Sequence, residues 1–187
     1  MPSSQGNTPD DYRTLIRQMA QGQETALVEF YRIFEQKIYA FAKIRLNDSQ
    51  EASDLLHEVM WEVWRSAGRF EGRSSVSTWV FGIAHHKVID RIRQANKHKT
   101  ETLEGIHATE SEEDLEALLT QKQMGEHIRW CIEMLSDDQR QVVHLAFYEG
   151  LPYREISKIV DSPEGTVKAR MFHAKQALKR CMSRRLK

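Results

Sequence analysis

The 187-residue chain has four prolines, nine glycines and two cysteines, and each scarcity removes a class of structure. With so few helix breakers and no alternating strand pattern beyond a few residues, helical periodicity has to account for nearly everything. Cys131 and Cys181 lie far apart in the chain. They make no disulfide framework, so a reducing, cytoplasmic setting is expected. No apolar run approaches the roughly 18 residues that cross a bilayer, and the start, Met1-Pro-Ser-Ser-Gln-Gly, lacks the basic-then-apolar order of a signal peptide. No membrane insertion is expected. A nucleophile paired with a base and a phosphate-binding loop are both missing from the sequence, so no enzyme is expected. His85 and His86, adjacent on a helix, cannot both face one ion. His127 with Cys131 supplies two ligands where structural zinc takes four, and neither metal nor cofactor is expected.

What the chain does have is 40% hydrophobic and 29% charged residues, too apolar for disorder, in a length that allows one domain or two small ones. The fold class expected is all-α, two small helical bundles joined by a flexible acidic linker, the second carrying a helix-turn-helix. After a short helix near Asp11 to Ala20, Phe30, Phe34, Ile38 and Phe41 recur at helical spacing. Asp48 and Glu51 form a capping-box pattern ahead of a helix with Ala52, Leu55, Leu56, Val59, Met60 and Val63 on its apolar side. A polar loop from Glu71 to Ser75 leads into a helix with Val80, Ile83, Ala84, Val88 and Ile92 inward. Residues 1–96 form the first expected domain. Residues 97–112 have few apolar side chains and no period, as a linker would, and 113–187 form the second domain. There Ile128, Cys131, Ile132 and Leu135 continue the pattern, and Ser136 with Gln139 starts a helix whose inward face is Val142, Val143, Ala146 and Phe147. Two helices follow, about Tyr153 to Val160 and Pro163 to Met182, with Ser162 as the expected N-cap and Pro163 at the first helical position.

Equal numbers of basic and acidic residues, 27 each, conceal a division. Residues 97–123 are net acidic, with three cations against seven anions, and residues 124–187 net basic, with twelve against eight. From Ser162 onward eight cations face the single Glu164, which suits a polyanion or, equally, a solvated helix whose cations complement its own dipole. The short turn before this helix fits a helix-turn-helix. Val167, Met171, Ala174 and Leu178 form its core side. The opposite side presents Thr166, Ala169, Phe172 and His173, with Lys168, Lys175 and Arg170 at the margins. Small, hydroxyl and aromatic groups in the centre suit base edges, and flexible cations at the edges suit phosphates. In the first domain Trp79, His86, Asp90 and Arg93 share a stripe beside the polar loop, an arrangement able to hold unstacked bases. The plainer alternative makes Trp79 a core residue and Asp90 a partner of Arg93.

Asp54-Leu-Leu-His-Glu-Val-Met-Trp-Glu-Val-Trp64, with Phe70-Glu-Gly-Arg-Ser-Ser-Val-Ser-Thr-Trp-Val-Phe-Gly-Ile-Ala-His-His-Lys-Val-Ile-Asp90, resembles the second conserved region of bacterial sigma factors of the extracytoplasmic-function group. Gly150-Leu-Pro-Tyr-Arg-Glu-Ile-Ser-Lys-Ile-Val-Asp-Ser-Pro-Glu-Gly-Thr-Val-Lys-Ala-Arg170 is similar to their fourth region. The sequence departs at His57, where glutamine is common, at His86, where asparagine is usual, and at His173 and Lys175, where arginines are typical. The resemblance implies an alternative sigma factor that binds core RNA polymerase and directs promoter-specific initiation. Asp54, Leu55, Glu58, Val59 and Val63 would dock on the β′ coiled coil, and the second domain would meet the β flap. Arg73, Ser74, Ser75, Thr78, Trp79, His86 and Arg93 would take the −10 element as a single strand. Thr166, Lys168, Ala169, Arg170, Phe172, His173 and Lys175 would read the −35 element as duplex. An anti-sigma factor is implied as a further partner. The alternative is a free-standing helix-turn-helix regulator, whose first domain would sense a ligand or dimerise.

Overall fold

The computed structural model describes residues 9–99 and 127–185. Among these the regular structure is helical, and no helix is long and apolar enough to cross a membrane. The first domain comprises α1 (Pro9–Ala20), α2 (Glu24–Leu46), α3 (Ser49–Ser66), a 3-10 turn (Ala67–Arg69) and α4 (Val76–Lys99). In the second are α5 (127–133), α6 (Asp137–Val143), a π-turn (His144–Tyr148), α7 (Tyr153–Ile159) and α8 (Glu164–Arg185). Because α4 runs to Lys99, the first three residues of the expected linker are helical. The rest of it, and the second expected domain as far as residue 126, lie outside the described residues.

Local chemistry sets the boundaries. α2 ends where Asn47 turns left-handed, φ 54°, and donates its N–H to the Lys43 carbonyl. Asp48 then caps α3, its carboxylate accepting the Glu51 N–H at 2.9 Å. Asp48→Ala is therefore expected to cost about 1 kcal/mol, read as a lower urea midpoint with an unchanged m-value. The capping box at Ser136 is complete, with both reciprocal bonds to Gln139 present. Buried Phe30 and Phe34 stack at 4.4 Å between ring centroids, and Phe41 meets Phe81 edge-on at 5.3 Å. The second contact ties α2 to α4, and α2 lies in the middle of the first bundle, against α1, α3 and α4.

Four expectations in the second domain are corrected. α8 starts at Glu164 with the Pro163 carbonyl accepting the Thr166 and Val167 N–H groups. Ser162 is not its cap: the hydroxyl donates to the Val160 carbonyl and accepts from Arg170. Phe147 is 64% exposed rather than inward, because the π-turn inserts about one residue into the helical register and buries His144 and Leu145 instead. Ile128 is also exposed. Finally, Cys131 and Cys181 are joined by a disulfide. Their Cα atoms stand 5.8 Å apart because α5 lies beside the last turns of α8, within the usual range for such a bond; separation in the chain did not report this proximity.

The two domains pack on each other. Their buried apolar residues form one continuous core, with α2 against α6 and α4 against α7. His144 reaches between the rings of Phe41 and Phe81, at 6.1 and 6.5 Å. Buried His85 Nδ1 and Gln141 Nε2 are 2.9 Å apart, which makes the amide the donor and Nδ1 the acceptor. Ion pairs close the edges, Lys37 to Glu149 at 3.2 Å and Arg45 to Asp138 at 2.9 Å. Burial opposes ionisation of Glu149, but hydrogen bonding from His144 and the Lys37 charge win and hold its pKa below the ordinary value.

Candidate nucleic-acid interface

At the start of α4 Ser75 organises the turn: its hydroxyl accepts the Thr78 N–H at 3.0 Å and lies 2.8 Å from the Thr78 hydroxyl. Thr78 itself is 4% exposed. The loop before it projects Arg73, an exposed side chain paired with Glu71 at 2.5 Å, and Ser74, whose hydroxyl donates to the Ser75 carbonyl. Trp79 is half-buried, its ring 5.0 Å from that of Phe70. Together Arg69, Phe70, Glu71, Gly72, Arg73, Ser74 and Trp79 line a cleft of about 150 Å³, in which the Glu71 carboxylate offsets the charge of Arg73 and leaves that of Arg69. Flat aromatic walls with guanidinium groups at the rim suit a base and its phosphate. Trp79 thus belongs both to the core margin and to this cleft. His86 and Arg93 are exposed farther along α4, with Arg93 paired to Asp90 at 3.6 Å. Phe70 and Arg69 were not singled out in the sequence; the cleft they form depends on the 3-10 turn, which carries no strong sequence signal.

On α3 the five expected docking residues divide. Leu55, Val59 and Val63 are fully buried on the inner side, where they pack the bundle and are closed to a partner. Asp54 and Glu58 are on the outer side, Asp54 bonded to Gln50 and Glu58 paired with Arg91 at 2.5 Å and Lys87 at 3.6 Å. They border a polar groove of about 810 Å³ between α3 and α4. Trp61, 65% exposed, shares that outer side with Asp54, His57 and Glu58. The spacing of these four at three and four residues was the available signal for an exposed docking face.

In the second domain Val167, Met171 and Ala174 are buried and turn the opposite side of α8 outward. Thr166, Ala169, Phe172, His173 and Lys175 are exposed, Phe172 by 60%. Lys168 is exposed and paired with Glu164 at 2.7 Å. Lys175 Nζ sits 5.7 Å from the centroid of Phe147, so the aromatic displaced by the π-turn holds one of the flanking cations. Arg170 stands apart. It is half-buried and bonded to Asp138 at 2.7 Å, and Asp138 also binds Arg45.

Comparison with known proteins bears directly on these surfaces. Residues 30–98 match the family Sigma-70 region 2, and residues 127–178 match Sigma-70, region 4. The chain belongs to the sigma-70 family. Its similarity to the ECF RNA polymerase sigma factor SigK of Mycobacterium tuberculosis H37Rv is 28% identity over 175 residues, covering 92% of this chain and 94% of that one. The RNA polymerase sigma-H factor of Pseudomonas aeruginosa PAO1 is 27% identical over 184 residues, covering 94% and 95%. These matches place the present sigma factor in the extracytoplasmic-function group, as the motifs from Asp54 and Gly150 suggest. Among solved structures, the sigma factor RpoE of Bartonella quintana, crystallised with the anti-sigma factor NepR, superposes with a TM-score of 0.65 at 20% identity, covering 83% of this chain and 95% of that one. CnrH, solved with the cytosolic domain of CnrY, gives 0.62 at 17% identity, covering 91% and 96%. Both share the fold. The two matched regions in one chain identify an alternative sigma factor, and the free-standing regulator is not favoured.

Proposed function

We propose that this sigma factor, acting in the cytoplasm, reads its promoter with two surfaces and leaves the chemistry of transcription to core polymerase. The cleft between Phe70 and Trp79, with Arg73, Ser74 and the first turn of α4, takes unstacked bases of the −10 element. Thr166, Ala169, Phe172 and His173 meet base edges of the −35 element, and Lys168 and Lys175 meet its phosphates. Asp54 and Glu58 on the outer side of α3 dock on the β′ coiled coil, the second domain meets the β flap, and an anti-sigma factor holds the protein in reserve. The observation that carries this reading is the exposure of Phe172 at the centre of a face rimmed by lysines. A ring left in water there lacks a folding rationale and fits contact with a thymine methyl.

The test is transcription in vitro with purified core polymerase on a promoter library. The protein is expected to yield promoter-specific starts, and operator-type duplex binding without polymerase would count against it. In the same assay Phe172→Ala is expected to relax discrimination among −35 variants by about 1–3 kcal/mol. Lys168→Ala should weaken all promoters alike and reduce the salt slope by about 1. Interchanged phenotypes would show that the orientation of α8 on DNA is wrong.

A further inference from the structure

We propose that Phe147, which lies outside the helix-turn-helix, is a positioning residue for duplex binding: its ring holds the Lys175 ammonium, charge intact, where a DNA phosphate meets α8. This rests on the proposed phosphate contact of Lys175. The cations at the margins of the exposed side of α8 are held in different ways. Lys168 is paired with the Glu164 carboxylate at 2.7 Å, and Arg170 with that of Asp138 at 2.7 Å. A phosphate has to displace or share those anions. Lys175 instead stands 5.7 Å from the centroid of the Phe147 ring. The face of a ring attracts an ammonium through its quadrupole but carries no net charge, so it fixes the cation without neutralising it.

That difference matters most for lysine. Its ammonium is a point charge on a flexible stem, with much rotamer freedom to lose when it settles on a phosphate. The Phe147 side chain has far less to lose, and its backbone is anchored. The Glu149 N–H donates to the His144 carbonyl at 3.3 Å, closing the π-turn, and the Leu151 N–H donates to the Leu145 carbonyl at 3.0 Å. His144 and Leu145 are themselves buried. The ring is thus a fixed platform and the lysine the mobile part. Each conformation of Lys175 that the ring removes before binding is one that duplex no longer has to remove.

The π-turn gives Phe147 its place. An inserted residue of this kind is uncommon and recurs at functional sites. In this chain it turns two aromatic side chains outward, Phe147 at 64% exposure and Tyr148 at 68%. Tyr148 stacks on buried His144, with 5.4 Å between centroids and 21° between planes. Phe147 faces α8, and Lys175 follows exposed Phe172 by three residues on that helix. The Phe147 ring therefore borders the side of α8 proposed to meet DNA, and widens it with an element that the helix-turn-helix does not contain.

The full chain and a fluorescein-labelled duplex of mixed sequence test this by anisotropy over a range of salt, because phosphates are common to every sequence. Phe147→Ala is expected to lower affinity about two- to fivefold, the span of an exposed cation–π pair, with an unchanged salt slope because Lys175 keeps its charge. Phe147→Leu, apolar but without a π face, should lose as much, whereas Phe147→Tyr should bind as the unaltered chain does. Lys175→Ala is expected to reduce the slope by about 1, and in that background Phe147→Ala should change nothing further. A loss that persists in the Lys175→Ala background, or that Phe147→Leu repairs, would leave Phe147 a packing role only and overturn the proposal. If Lys175→Ala acts and Phe147→Ala does not, the phosphate contact stands and the proposal alone falls. If Lys175→Ala leaves affinity and slope untouched, the contact falls and the proposal with it.

Discussion

Reduction of the bond between Cys131 and Cys181 is expected to lower the stability of the helix-turn-helix domain by about 4 kcal/mol, the loop-closure entropy that a link across 50 residues withholds from the unfolded chain. Along 127–133 Cys131 is the one fully buried side chain, while Ile128 and Trp130 are exposed. The bond ties that helix to the last turns of α8, the helix whose outer side is proposed to face DNA. Urea unfolding with and without reductant, and of the Cys131→Ser/Cys181→Ser double variant, should show matching falls in midpoint. A midpoint that ignores reductant would mean that α5 contributes nothing to the cooperative unit.

Acidification from pH 7.5 to 5 is expected to weaken the packing of the two domains by about 2 kcal/mol. The group responsible is His85, whose pKa is lowered to about 4, first by burial, then by the charges of His86 and Arg45, with Asp138 and Asp161 acting the other way. Opening returns the ring to water and to an ordinary value near 6.5. The open form therefore binds the extra proton: packing is fully favoured above about pH 6.5 and loses ground steadily as pH falls toward 4. Glu149 and Glu155, both held below the ordinary carboxylate value, remain ionised at pH 5 and do not share in the effect. Scattering across this range should show expansion. His85→Gln, which keeps an amide opposite Gln141 but cannot titrate there, should flatten the dependence; an unchanged pH profile in that variant would assign the transition to another group.

The helices were legible because their boundaries are written locally. Asp48, the pair Ser136 and Gln139, and the periodicity of Phe30, Phe34, Ile38 and Phe41 each act within a turn or two of themselves. The exposed side of α8 was legible for the same reason, since burial of Val167, Met171 and Ala174 settles that Phe172 points outward. Periodicity names the apolar side of a helix but not what meets it. Leu55, Val59 and Val63 fell on the apolar side by periodicity, where the bundle holds them; it was the family resemblance that assigned them to a docking surface. Phe147 was placed inward because periodicity carries no sign of the π-turn that displaces it. The disulfide and the seam were beyond reach: His85 with Gln141, and Lys37 with Glu149, join residues whose proximity depends on how two domains lie together, which no local pattern encodes.

Asp138 accepts two guanidinium groups, one from each domain. One carboxylate therefore fixes α6 to helices on both sides of it, α2 through Arg45 and α8 through Arg170. The two cations compete for it, so a phosphate that drew Arg170 away would leave Asp138 to Arg45 alone and tighten the link between the domains rather than slacken it.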